Sequence, residues 1–418
     1  MSKFLRNFSL LALAAIVIRL ILAVPFYSGD LNNPAIWGIY ARDFGFSGFY
    51  DFLNFGNYSR PDYPPGAIML FWLVRYLWEI IFKIFWWINV NVSVFPSNFI
   101  VWLETDGYIF LLKLPGLVCD FLIGYLIYKV LIKKGKNMAL LGASLYWFNP
   151  ATIYVSSMWG QIDGIVMFAG VLTILKAIQK KFAMALFILT LSILIKPTML
   201  MLVPAVLITM FLKKVPLKNF ILSLAPSALL IYLVSKPFAP WGPGPWIIKQ
   251  YFNNFLNIAS NLPYIQVRAF NFWTLVTGVN FVPLKNTFLG ISLSTYAYVL
   301  ASVNFLLITY LALKKKNIFG AVSLFIFSAF LFLPKIHERY LLPIIPFLIL
   351  FSLGAWTKKT KRLVLTVSFF LFLNLYSAWG TPETFVVNIF RADVLARAAS
   401  LALVGLYLYH LKLYNNLK

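Results

Sequence analysis

Four carboxylates, Asp30, Asp43, Asp51 and Asp62, stand in one polar stretch, Phe26 to Gly66, of a chain with only 12 acidic residues in 418. Tyr, Trp and Phe are interleaved with them, and the stretch closes on Arg60-Pro61-Asp62-Tyr63-Pro64-Pro65-Gly66. A plain connector has no use for so many aromatic side chains, and long ordered loops are where function concentrates. Asp30 follows directly on the first apolar run. A carboxylate so placed suits general-base work on a hydroxyl nucleophile; solvation or helix capping is the simpler account. In the closing segment the prolines stiffen the start of the next helix. They leave Arg60 and Asp62 to pair with each other or with a ligand. An arginine neighbour lowers a carboxyl pKa, so Asp62 is expected to be the weaker base of the two.

Three further clusters carry chemistry. Trp159-Gly160-Gln161-Ile162-Asp163 opens an apolar run after Asn149-Pro150. Asp163 in a first helical turn suits the helix dipole. The same set also supplies an aromatic face and hydroxyl-binding groups for a sugar. Lys196-Pro197 interrupts a long apolar run, and a lysine in such a run is costly unless paired, wetted or snorkelling. Lys335-Ile336-His337-Glu338-Arg339-Tyr340 lies between two apolar runs and contains one of only two histidines. Its cations could hold a phosphate through charge-assisted hydrogen bonds, or simply anchor an interface. Lys113 and Asp120, seven apart, share a helix face. Walker, dinucleotide-binding and H-E-x-x-H motifs are absent, which argues against nucleotide-driven transport.

The elements that must position these groups are membrane helices. Hydrophobic residues make up 61% of the chain and mean hydropathy is +0.83, beyond the range of soluble domains. The net charge of +24 falls in short clusters between apolar runs: Lys133/Lys134/Lys136, Lys180/Lys181, Lys213/Lys214, Lys314–Lys316 and Lys358–Arg362. This is the positive-inside pattern rather than a nucleic-acid surface. It places Asp30 to Asp62, Asp163 and Glu338 on the extracytoplasmic side of a cell-membrane protein. The fold class expected is all-α, a polytopic bundle of about 11–14 spans with a structured first outer loop. Residues 1–418 would form a single domain that includes loops 26–66 and 237–285. Ala67–Trp102 and Phe182–Leu212 must each turn back, the second at Lys196-Pro197.

In their order, Asp30 in the first outer loop, Pro-Asp-Tyr-Pro-Pro-Gly at 61–66, Trp-Gly-Gln-Ile-Asp at 159–163, Ile-Lys-Pro at 195–197 and His-Glu-Arg-Tyr-Leu at 337–341 resemble the GT-C superfamily of integral-membrane glycosyltransferases. Within it, prokaryotic proteins related to GPI mannosyltransferases are the most similar. The resemblance implies inverting transfer of a hexose, mannose favoured, from a polyprenyl-phosphate-hexose donor. The acceptor would be a lipid-linked or protein-linked glycan, on the outer face, with membrane lipids as surroundings and with no cofactor, metal or nucleic acid. Asp30 would be the catalytic base. Lys196, His337 and Arg339 would hold the phosphate; Trp159, Gln161 and Asp163 would contact sugar; Arg60, Asp62 and Glu338 would complete the substrate-binding set. A transporter or lipid flippase shares broken helices and intramembrane charge but should keep its polar site near the midplane. A structural subunit would need no carboxylate-plus-cation set.

Overall fold

The computed structural model describes residues 3–51, 55–251, 262–354 and 357–417. Parts of both long loops considered above, at 52–54 and 252–261, lie outside the described residues. The chain is mostly helical. Six helical stretches are long and apolar enough to cross a membrane: Arg6–Ala23, Ser97–Lys134, Leu217–Ser235, Leu293–Lys315, Lys358–Trp379 and Asp393–Asn415. Phe182–Ile195, Pro197–Leu212 and Ile318–Phe332 are apolar but shorter. This is the build of a multi-pass membrane protein. The higher count suggested by hydropathy includes runs that the fold divides or keeps short.

In chain order, α1 (Lys3–Ala23) leads through a 3₁₀ turn to α2 (Asn32–Phe44) and α3 (Pro65–Asn91). Then α4 (Ser97–Trp102) passes through a π-turn into α5 (Tyr108–Leu131), followed by α6 (Lys136–Trp147) and α7 (Pro150–Ile153). The turn-back expected within Ala67–Trp102 is therefore arranged differently. Its first leg is one 27-residue helix, and its return leg runs without a break into the next span. Arg75 and Glu79 do not interrupt α3, because they sit four apart on one face and pair at 3.4 Å. Reversal comes instead at the polar residues after Asn91.

Next come α8 (Asp163–Ile178) and α9 (Phe182–Ile195), and the chain does break at Lys196 as expected. Lys196 is extended, with φ −156° and ψ 125°, and Pro197 opens a 3₁₀ segment that becomes α10 (Val203–Leu212). Beyond α11 (Leu217–Ser235), α12 (Pro243–Gln250) and α13 (Phe272–Thr277) lie α14 (Leu293–Lys315) and α15 (Ile318–Phe332). From Gly320 to Phe332, α15 is buried on every face, as is all of α16 (Ile344–Ser352). Helices apolar all round belong in the centre of a large bundle. They hold the polar segment 334–341 between them from both ends. The chain closes with α17 (Lys358–Trp379), α18 (Phe385–Arg391) and α19 (Asp393–Asn415).

Four two-residue strands accompany the helices. Strand β1 (Gln266–Val267) pairs in parallel with β4 (Ile336–His337), with Val267 opposite His337; β2 (Thr287–Phe288) and β3 (Ile291–Ser292) form a hairpin. The first pairing draws the 262–285 region to the centre of the molecule.

Since the first polar loop and the 334–341 segment line one cavity, described below, they must lie on one side of the membrane. In a Cys119-free background, cysteines at Asn57 and Lys285 are expected to react with an impermeant maleimide from the same side, and a cysteine at Lys134 from the other. Labelling of Asn57 and Lys285 from opposite sides would overturn this arrangement.

Candidate active site

The site begins where α1 ends. Ser28 Oγ accepts a hydrogen bond from Asp30 N at 3.3 Å, and its carbonyl accepts one from Leu31 N at 3.0 Å. These bonds wind Gly29–Leu31 into a 3₁₀ turn. Leu31 is buried and anchors the turn, while Asp30 stays exposed to the cavity. Its carboxylate is held from the Trp159 cluster: Trp159 Nε1 and Gln161 Nε2 both donate to Oδ2, at 2.9 and 3.0 Å. Among the described residues Oδ1 has no hydrogen-bond partner.

Trp159 and Gln161 reach one oxygen because the chain reverses between them. Residues Tyr154–Trp159 form a π-turn that ends at Gly160, with φ +80°. A Cβ at Gly160 would lie 2.7 Å from Leu31 Cδ1, so both the conformation and the space require glycine. The Trp159 ring stacks on Trp379 at 5.4 Å and 13°, and the Arg339 guanidinium lies 5.6 Å from its centroid. Trp159 is thus committed to positioning Asp30 and to these two neighbours, more than the open sugar platform that its sequence suggests.

A second group gathers around Asp163, in the first turn of α8. Lys196 Nζ lies 2.8 Å from each of its oxygens, and Arg339 Nε is 4.0 Å from Oδ2. Both partners of the Lys196–Asp163 pair are almost wholly buried. Asp163 does not reach the cavity wall, so its role is to hold Lys196 rather than to touch sugar directly. Arg339 Nη1 also donates to Glu338 Oε1 at 2.8 Å. Burial opposes the charge on Arg339, yet Glu338, Tyr63 and Asp163 together push its pKa up. Its Nε and the Thr198 hydroxyl, both buried, have no hydrogen-bond partner among the described residues.

His337 sits beside Glu338, 3.9 Å away. Its pKa is pushed down from 6.5 to about 3, first by burial and then by Arg339 and Lys196. It is therefore neutral near pH 7 and offers hydrogen bonds rather than a third positive charge. Asp62 departs from expectation in the same way. No ion pair joins it to Arg60; burial pushes its pKa above the ordinary value, only partly offset by its backbone contact, Arg339 and Lys196. Arg60 is exposed and does not line the cavity. Lys113 and Asp120 also stay apart. Lys113 donates to the carbonyls of Ala23 and Phe26, which ties the end of α1 to α5, and Asp120 accepts from Tyr146 at 2.7 Å.

Asp30, Asp62, Trp159, Gln161, Lys196, His337, Glu338 and Arg339 line one cavity of about 930 Å³, the size of a substrate pocket. Tyr63, Arg268, Lys335 and Trp379 also line it and were missed from sequence. Trp379-Gly380 did carry a signal, because it repeats the Trp159-Gly160 pattern of a tryptophan before a glycine, and Gly380 also has positive φ, +75°. Arg268 carried none; the long-range pairing of β1 with β4 brings it in. The chain matches no family model and no curated protein.

Removing one partner of a buried ion pair strands the other charge, at a cost of about 3–5 kcal/mol. Lys196→Met is therefore expected to lower the thermal midpoint in detergent sharply, and Lys196→Met with Asp163→Asn to recover much of the loss. Equal losses in the single and double variants would deny the pairing. For His337, a folded-state pKa below the unfolded one lets the unfolded chain take up the proton first. Stability falls as pH drops from about 6.5 toward 3. His337→Gln should remove that share of acid sensitivity; an unchanged slope of midpoint against pH would contradict a neutral, buried His337.

Proposed function

We propose that this protein is an inverting membrane glycosyltransferase that moves a hexose, mannose favoured, from a polyprenyl-phosphate-linked donor to an acceptor hydroxyl on the extracytoplasmic face. The carrying observation is that one cavity holds both a partly uncommitted carboxylate, Asp30, and a cationic cluster, Lys196 and Arg339. Inverting transfer needs these two things. A base must take the proton of the attacking hydroxyl, and positive charge must meet the phosphate that departs from the anomeric carbon.

In the proposed reaction Asp30 Oδ1 accepts the acceptor proton while Oδ2 stays bound to Trp159 and Gln161, which fix the carboxylate. The acceptor oxygen forms a bond to C1 from the face opposite the phosphate, and the C1–O bond to phosphate breaks with its electron pair going to the phosphate. Arg339 Nε and the Thr198 hydroxyl supply free donors for that anion. Lys196, though paired, adds charge behind them, and neutral His337 can donate a further hydrogen bond. The lipid-linked or protein-linked acceptor glycan and the polyprenyl tail remain inferences from this chemistry and from the GT-C resemblance.

One observation favours a second assignment of the base. Asp62 lines the same cavity and its burial-raised pKa makes it more basic than an ordinary aspartate. The two assignments separate by substitution. Asp30→Asn keeps shape and hydrogen-bonding reach but removes basicity, so it should lower turnover by about 10²- to 10⁴-fold with donor affinity preserved. Near-normal transfer by Asp30→Asn together with loss in Asp62→Asn would move the base to Asp62. Arg339→Ala should raise the KM for the donor and slow turnover; a well-folded variant with unchanged donor kinetics would reduce Arg339 to a structural anchor.

A further inference from the structure

Beside the main cavity lies a second one, of about 330 Å³, and Arg268, Phe281 and Ala378 belong to the walls of both. Its distinctive feature is a pair of arginines. Arg268 donates from Nη1 to the Ala378 carbonyl at 2.7 Å, and Arg391 from Nε to the Ser377 carbonyl at 3.0 Å. Among the described residues neither has a carboxylate within 4.0 Å, whereas Arg397 nearby is paired with Asp393 at 2.7 Å. Two guanidiniums therefore face one space, each with most of its N–H donors uncommitted.

Capping the last carbonyls of α17 accounts for one bond from each arginine. It does not account for how Arg268 is held. Arg268 has φ +53°, a conformation that costs a non-glycine residue about 1–3 kcal/mol and persists only where the surroundings enforce it. The enforcing group is Asn374, fully buried on α17. Its Nδ2 donates to the Arg268 carbonyl at 2.7 Å and its Oδ1 accepts from Phe270 N at 3.0 Å. On the other side, Gln266 is fully buried and its Nε2 donates to the carbonyls of Gly278 and Asn280, at 3.3 and 3.2 Å. Two buried amides thus lock the backbone on either side of Arg268. Pairing of the adjacent strand with Ile336–His337 ties it to the phosphate-holding segment. Strain and buried clamps fix this guanidinium at the junction of the two cavities.

We propose that the second cavity is an anion subsite for the acceptor, in which Arg268 and Arg391 hold a phosphoryl group that the acceptor carries. The inference rests on the transferase reading and narrows it: the acceptor is a phosphate- or pyrophosphate-linked saccharide rather than a neutral glycan. Two parallel N–H donors from a guanidinium match two phosphate oxygens, and the shared wall at Arg268 lets the acceptor's sugar extend from the subsite into the main cavity toward Asp30.

The test uses Arg268→Gln, Arg391→Gln and the double variant, purified whole in detergent. In transfer assays with a polyprenyl-pyrophosphate-linked saccharide as acceptor, each single variant should raise the acceptor KM by about tenfold or more with the donor KM unchanged. Arg268→Lys should recover part of the loss. An unchanged acceptor KM in active variants would overturn the subsite while leaving the transferase reading in place. Equilibrium binding of radiolabelled polyprenyl pyrophosphate decides the matter without turnover. Wild type should bind at two sites, the double variant should lose one, and Arg339→Ala should lose the other. One site unaffected by the double variant, or inorganic phosphate binding as tightly as the lipid form, would refute a subsite for an acceptor-borne phosphate.

Discussion

A buried charge must find its partner before the rest of this structure can settle, and the Lys196–Asp163 pair is where that requirement is met. Lys196 interrupts a hydrophobic run and Asp163 opens the neighbouring helix; neither is tolerable alone in a packed bundle. Their bidentate contact, 2.8 Å to each oxygen, fixes the break after α9 against the start of α8. Arg339 then joins from a third element, between the two helices buried on all sides. Three separate interruptions of regular helix meet at one carboxylate.

The other half of the cavity is organised around a second carboxylate by different means. Asp30 stays exposed, and neutral donors from Trp159 and Gln161 hold it rather than a cation. The two aspartates lie close in the fold because Trp159 and Asp163 are four residues apart, on either side of the turn at Gly160. The same short segment therefore presents donors to one carboxylate and supplies the other. The two roles are kept distinct by environment: a carboxylate neutralised by lysine holds cations in place, and a solvated carboxylate with one oxygen uncommitted can take a proton.

Much of this was legible in sequence. A lysine-proline step in an apolar run had to be a break and had to find a partner, and a tryptophan, glutamine and aspartate spaced across a glycine had to turn. Helical class and the importance of segment 337–341 followed from hydropathy and from the rarity of charge. Other features depended on distance in the fold. Arg60 looked like the partner of Asp62 because they are neighbours in sequence, yet Arg60 faces solvent and burial sets the basicity of Asp62. His337 looked cationic beside a glutamate, but two true cations and burial keep it neutral. Arg268 and Trp379 entered through a strand pairing and a helix end that bring together residues more than a hundred positions apart, and no local pattern announces such contacts. The unbroken helix from Ser97 to Lys134 shows the same limit in reverse: polar residues at its start look like a loop until they are seen packed against α3.

The account makes one carboxylate act as base opposite a phosphate leaving group, and this arrangement dictates stereochemistry. A single in-line displacement inverts the anomeric centre, whereas retention requires a covalent intermediate or a front-face route. The most direct measurement is to incubate the purified protein with a ¹³C-labelled polyprenyl-phosphate hexose of known anomeric configuration and an acceptor, and to read the product linkage by the one-bond C1–H1 coupling. The account predicts transfer with the opposite anomeric configuration. Transfer with the original configuration would contradict the single-base mechanism, and no transfer from any polyprenyl-phosphate hexose would contradict the assignment of the cavity itself.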